Sequence, residues 1–224
     1  MSVPAALPLA ILISGRGSNM VAIAQACAAE RIDARVAQVI CDQPGAAGIA
    51  RAHELGLPTS VVARAAYADA AAFETALRQA LDAQTPELVV LAGFMRILSP
   101  HFVARYAGRM LNIHPSLLPR YRGLHTHRRA LAATDTHHGA SVHFVTTELD
   151  AGPVVLQSKV PVLAGDTEES LAARVQATEH VIYPKVIGWI AQRRLVWHVD
   201  RICFDGERLD EPMIEEFKAP LGAE

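Results

Sequence analysis

The first half of this 224-residue chain repeatedly alternates short apolar runs with helical periodicity, and that pattern narrows the possible folds more than any other feature. Leu9 to Ser14 is apolar and ends at Gly15-Arg16-Gly17-Ser18-Asn19, after which a helical pattern runs to about Glu30. Val36 to Cys41 reads as a second strand, Ala46 to Leu55 as a helix, Thr59 to Val62 as a third strand and Asp69 to Ala83 as a helix. Leu88 to Ala92 is apolar at every position, the pattern of a strand buried on both faces of a parallel sheet. Parallel neighbours need crossover helices. Right-handed crossovers then predict a doubly wound, mostly parallel α/β sheet with helices on both faces. Ligands in such sheets bind at the carboxyl ends of strands.

The second half changes character. Met110 to His114 predicts a strand, and Pro115 to His125, with two prolines and a glycine, predicts a long irregular loop. Gly139 to Thr146 and Val154 to Val160 predict strands joined at Asp150-Ala151-Gly152. Thr167 to Arg193 carries a helical pattern with a capped start, and Pro184 is expected to kink or split it. Leu195 to Leu209 predicts a terminal hairpin turning at Asp205-Gly206. We expect one domain over residues 1–224: a nucleotide-binding half over about 9–114, a catalytic half over about 115–200 and an extension over 201–224.

Composition excludes several classes. Twenty-one basic against 23 acidic residues leave a formal charge of −2, which gives no electrostatic footprint for nucleic acid or an anionic membrane. Aromatics are 5% of the chain, too few for base-stacking platforms. No window reaches the roughly 18 apolar residues of a membrane span, and the run from Ala5 lacks the preceding positive charge of a signal peptide. Cys27, Cys41 and Cys203 form no CxxC pair, so a cytoplasmic chain with free thiols is expected. His125, His127, His137 and His138 lack metal-site spacing and are read as surface or loop histidines. No metal is expected.

Three segments carry chemistry. Gly15 to Asn19 lies between strand and helix, where small residues and free N–H groups suit a phosphate, although an ordinary tight turn has the same composition. Asn112 and His114 sit two apart on a strand, so they point the same way at its carboxyl end. An amide beside an imidazole suits oxyanion stabilisation and proton transfer. Asp150 opens a turn after a strand, placed to orient a histidine or accept a proton.

Taken together, these segments resemble the bacterial phosphoribosylglycinamide formyltransferase family of folate-dependent purine biosynthesis. The resemblance rests on Ile13 to Asn19, Leu91 to Pro100, Leu111 to Pro119, Gly123 to His127, His143 to Val145 through Leu149 to Gly152, and Arg174 to Gln176 with Glu179-His180. It implies direct transfer of a formyl group from 10-formyltetrahydrofolate to the amine of glycinamide ribonucleotide, without a metal. It implies Asn112, His114 and Asp150 as catalytic residues. Gly17, Ser18, Asn19, Gln176 and Glu179 would hold the ribonucleotide. Met95, Arg96, Ile97 and Leu98, with Asn112, Val145 and Asp150, would form the folate pocket. A monomer or weak homodimer is expected, with no nucleic-acid or membrane partner.

The chain departs from the family pattern at Asp69-Ala70-Ala71, where relatives often carry an arginine; Arg64 is the candidate substitute. It also departs at Arg120-Tyr121-Arg122-Gly123, where many relatives have proline before the glycine. Methionyl-tRNA formyltransferases share the Asn, His and Asp but carry an RNA-binding domain, and formyltetrahydrofolate hydrolases carry an extra N-terminal domain. The length of 224 residues with charge −2 argues against the first, and a first strand beginning near residue 9 argues against the second. A non-catalytic binding module is disfavoured by the intact Asn112, His114 and Asp150.

Overall fold

The computed structural model describes residues 6–198 and 201–218. Ala5, where the first apolar run begins, and residues 219–224 of the expected extension lie outside them. An eight-stranded sheet has the order β11-β7-β6-β5-β4-β1-β2-β3. Its first strands are β1 (Leu7–Ile13), β2 (Ala34–Cys41), β3 (Thr59–Val61), β4 (Leu88–Leu91) and β5 (Met110–His114), all mutually parallel. β6 (His137–Phe144) runs antiparallel to β5 and to β7 (Val154–Pro161), and β11 (Met213–Glu216) closes that edge parallel to β7. The doubly wound, mostly parallel sheet is therefore as expected, with one reversed strand.

Both faces of the sheet are covered. α1 (Ser18–Ala28), α2 (Ala47–Glu54) and α6 (Glu168–Ala191) pack on one face, where Leu9, Ile11, Ile13, Leu111 and Ile113 point. α3 (Ala70–Asp82) and α4 (Pro100–Arg105) cover the other, facing Ala10, Leu12, Val89, Leu91 and Met110. α5 (Thr126–Ala132) follows the long loop after β5. The even residues of β5 thus belong to the α3/α4 face, which decides where Asn112 and His114 point.

Three local outcomes differ from the sequence reading. α6 passes unbroken through Pro184, because Ile182, Tyr183, Val186 and Ile187 around it are buried against the sheet. Its capped start is confirmed: Thr167 and Ser170 form a reciprocal capping box. The expected terminal hairpin is instead a three-stranded antiparallel sheet of β8 (Leu195–His198), β9 (Arg201–Phe204) and β10 (Glu207–Arg208), with Asp205-Gly206 turning β9 into β10. It docks through Trp197 on Phe144 and Phe204 on Trp189, with ring centroids 5.0 and 4.9 Å apart. Beyond it, β11 rejoins the main sheet, where Lys159 pairs with Glu216 and Lys185 with Glu215.

Tyr183 ties α6 to the strands that end at the candidate site. Fully buried, it reaches the carbonyl oxygens of Leu91 in β4 and Leu111 in β5, at 3.0 and 3.1 Å. Burial raises its pKa well above the ordinary tyrosine value, so it stays a donor. Tyr183→Phe should therefore lower unfolding free energy by about 1–2 kcal/mol, the cost of one buried hydrogen bond. Urea denaturation checks this, and an unchanged midpoint would contradict it.

Candidate active site

Chain order puts β2 and β4 on opposite sides of β1, so the loops after β1 and β4 diverge. Between them lies a cleft of about 650 Å³ lined by Gly15 to Asn19, Gly93, Met95, Ile113, Pro115, His127, Gln176 and Glu179 among others. The glycine-rich turn is shaped by close packing. Gly17 has φ +68°, and Gly48 of α2 lies so close that a Cβ there would sit 2.7 Å from the Gly15 carbonyl oxygen. Gly17 caps α1 with no side chain bonded to the helix end, so the first-turn N–H groups keep no intrahelical partner. Neither Ser18 nor Asn19 acts as the cap.

Across the cleft, Asn19 Nδ2 donates to Glu179 Oε2 at 2.7 Å. Burial pushes the Glu179 carboxyl up to about 7 against that bond, which favours the ionised form. Asn19 Oδ1 is buried with no protein partner. The five residues expected to hold the ribonucleotide are thus assembled in one place.

Asn112, His114 and Asp150 form a second cluster, at the tip of β5 on the opposite face from Ile113. Two histidines complete it. The β5–β6 register sets His143 opposite Asn112, and His143 Nε2 lies 3.2 Å from Asn112 Nδ2. His143 Nδ1 is 2.9 Å from the Phe144 carbonyl oxygen, which can only accept, so Nδ1 carries the hydrogen. Its Nε2 lone pair therefore accepts from the Asn112 amide and sets the amide's orientation. Burial lowers the His143 pKa, which keeps this ring neutral near pH 7.

His114 is treated differently. Its Nε2 lies 2.9 Å from the Tyr121 carbonyl oxygen and so donates to it. Its Nδ1 faces Asp150 Oδ2 at 3.4 Å, while Asp150 Oδ1 is 3.8 Å from His143 Nε2. Asp150 has φ +49°, a conformation aspartate tolerates, and its Oδ2 also accepts from Gly123 N–H at 2.9 Å. The irregular loop after β5 therefore closes over both members of the pair.

The residues expected around folate form a partly exposed rim. Met95 and Ile97 are 67% and 81% exposed, and Leu149, beside Asp150, is 53% exposed. Leu98 and Val145 pack against the core on the α3/α4 face, the side to which Asn112 and His114 point. The Arg96 guanidinium pairs with buried Asp42. Arg64 donates to the Tyr67 carbonyl and lies over the Phe73 ring, and Asp69 is the N-cap of α3.

The reading of the loop histidines needs correction. His138 is buried, its Nε2 lies 3.2 Å from His127 Nδ1, and burial holds its pKa down at about 4. Adjacent β-strand positions alternate faces, so His137 is exposed while His138 is enclosed. Among the described residues, no group of three or more His, Cys, Asp or Glu side chains could hold a metal ion. No helix among them is long and apolar enough to cross a membrane.

The formyl transferase family model matches residues 7–187, and the chain belongs to that family. It is 53% identical over 201 residues to phosphoribosylglycinamide formyltransferase of Escherichia coli K12, covering 90% of this chain and 95% of that one. The human trifunctional purine biosynthetic protein adenosine-3 is 41% identical over 183 residues, 82% of this chain and 18% of that protein. A solved structure of the Coxiella burnetii phosphoribosylglycinamide formyltransferase superposes with a TM-score of 0.87 at 43% identity, covering 92% of this chain and 99% of that one.

Glu179 supplies a pH test. Its unfolded carboxyl titrates near 4.5 and its folded one near 7, so the folded state holds an extra proton between those values. Stability from this group is therefore complete below about pH 4.5 and declines as pH rises to about 7, by at most about 1.4 kcal/mol per pH unit. Glu179→Gln should remove that decline. Parallel denaturation curves for both proteins across this window would contradict it.

Proposed function

We propose that this chain transfers the formyl group of 10-formyltetrahydrofolate to the amine of glycinamide ribonucleotide, giving formylglycinamide ribonucleotide and tetrahydrofolate in purine biosynthesis. The observation that carries this reading is the Asn112-His114-Asp150 cluster at the tip of β5, beside a separate polar cleft on the other side of that strand. Kinship with chains named for this reaction supports it.

The ribonucleotide lies across the tip of β5 in this proposal. Its phosphate meets the unpaired N–H groups of Gly17, Ser18 and Asn19, a helix-start arrangement that favours anions. Gln176 and Glu179 line the same cleft and hold the phosphoribosyl end, with the unpartnered Asn19 Oδ1 beside them. The folate rests against the apolar rim of Met95, Ile97, Leu98 and Val145, with Arg96 beside it. It supplies the formyl carbon that the glycinamide amine attacks.

Asn112, oriented by His143, donates to the formyl oxygen as negative charge builds there, and His114, whose Nε2 hydrogen is held by the Tyr121 carbonyl, adds a donor only from Nδ1 once that nitrogen has taken up a proton. The amine loses a proton and the departing folate nitrogen gains one. Asp150, held by Gly123 N–H against His114 Nδ1, receives or relays that proton. Transfer is direct in this reading, through neither an acyl-enzyme nor a metal.

A steady-state assay with glycinamide ribonucleotide and 10-formyltetrahydrofolate tests the reading, with formylmethionyl-tRNA formation as the control. Asp150→Asn should cut turnover by about 10²-fold or more, the scale of general acid–base catalysis. Ser18→Glu should raise KM for the ribonucleotide with little change in kcat. Wild-type turnover in the first variant, or an unaltered KM in the second, would remove the corresponding assignment.

A further inference from the structure

Outside the reacting cluster, one arrangement has no role in the steps above. Tyr121 is a bulky residue held at φ +56°, in the left-handed region that large side chains rarely occupy. Such a conformation persists only where the surroundings impose it. Here they do so from four sides. The Tyr121 hydroxyl donates to Asp135 Oδ2 at 2.6 Å, and Arg120 reaches the other Asp135 oxygen at 2.7 Å. The guanidinium groups of Arg120 and Arg129 lie 5.0 and 5.1 Å from the Tyr121 ring centroid, and His138 meets its edge at 6.1 Å. Asp135 follows the end of α5, and its backbone N–H bonds to the Ala130 carbonyl oxygen at 3.2 Å.

The product of this restraint is the direction of one carbonyl. Tyr121 O accepts from His114 Nε2 at 2.9 Å. Which imidazole nitrogen carries the proton is set by the bond the other nitrogen makes. A carbonyl fixed on Nε2 keeps a hydrogen there and leaves Nδ1, on the Asp150 side, as the nitrogen that gives and takes a proton. Relaxation of Tyr121 to negative φ would swing that carbonyl and free the ring to exchange tautomers.

We propose that Asp135, acting through the Tyr121 hydroxyl, is a positioning residue that fixes the tautomer of His114. This rests on the reading of His114 as catalytic. The groups facing the His114 ring are Asp150 from the β6–β7 turn, the Tyr121 carbonyl from the loop, and, at longer range, His143 and His138 from β6 and His127 from α5. Asp135 touches none of the reacting groups, so its effect reaches the chemistry only through the loop.

Tyr121→Phe removes one hydroxyl and keeps the ring, while Asp135→Asn keeps the carboxylate's shape and removes its charge. Each variant is to be assayed for formyl transfer and studied by NMR with ¹⁵N-labelled histidine, the His114 signals being assigned by their loss in His114→Asn. In the parent protein His114 should show a protonated Nε2. In both variants the ring should populate both tautomers, kcat should fall about tenfold, and KM for the ribonucleotide should stay within about twofold, as befits one lost orienting hydrogen bond. Unaltered His114 signals in both variants overturn the proposal whatever the rate. Altered signals with parent kcat overturn it as well. If Asp135→Asn does not fold, Tyr121→Phe decides alone. A His114→Asn protein with parental turnover would sink the catalytic reading and this proposal with it. An inactive His114→Asn beside unaffected Tyr121→Phe and Asp135→Asn sinks the positioning role only.

Discussion

The switch in strand order at β1 is the constraint from which the rest follows. The chain leaves β1 to build β2 and β3 on one side, then returns to lay β4 and β5 on the other. Helices α1 and α3 therefore cover opposite faces, and the loops after β1 and β4 part at the carboxyl end. The gap is kept narrow at its base, where Ser14 N–H donates to the Gly93 carbonyl and Ser14 Oγ accepts from Met95 N–H. Close approach of α2 to Gly15 and Gly17 then leaves the N–H groups at the start of α1 uncapped. A sheet wound in one direction only would have no such opening.

β5 divides the opening into two. Its residues alternate faces, so Ile113 borders the polar cleft while Asn112 and His114 project to the other side. One strand thus separates a place suited to an anion from a place suited to proton transfer, yet keeps them a residue apart. The reversed strand β6 is what makes the second place work. An antiparallel neighbour sets His143 directly across from Asn112 and Ser141 across from His114. Ser141 Oγ donates to the Ser116 carbonyl and accepts from Leu118 N–H, and so pins the start of the loop that returns over His114.

Much of this could be read from residues that fail to alternate or that stop a pattern. The apolar run Leu88 to Ala92 foretold a strand buried on both faces, and Pro115 after His114 foretold where β5 ends. The pair Asn112 and His114 was readable because a two-residue spacing means one face on any strand. His143 carried no such signal: its partnership with Asn112 depends on the β5–β6 register, a long-range property. His138 lies beyond that ladder, opposite Val160 of β7, and Tyr121 and His127 meet its ring, contacts that are equally long-range. Residues 213–216 gave no strand expectation because Ile214 and two glutamates do not look like sheet interior, and they need not, since β11 is an edge with one neighbour and its glutamates pair with Lys185 and Lys159. Pro184 was expected to kink or split the helix; the split does not occur, because burial around it holds α6 together.

The near-neutral net charge of the chain acquires a physical sense at the cleft. A phosphate there would meet backbone N–H groups and the amide of Gln176, and of the charged side chains that line the cleft, Arg16 and Glu169 are exposed while Glu179 is buried. Burial pushes that carboxyl up to about 7, so near neutrality much of it is protonated and repels an anion little. A fully ionised carboxylate would oppose the ligand. The same economy governs the proton-transfer side. His143 and His138 are kept neutral by burial, so neither places a positive charge beside the pair of Asp150 and His114. With the neighbouring rings uncharged, the direction of proton movement is governed by which nitrogen of His114 faces Asp150.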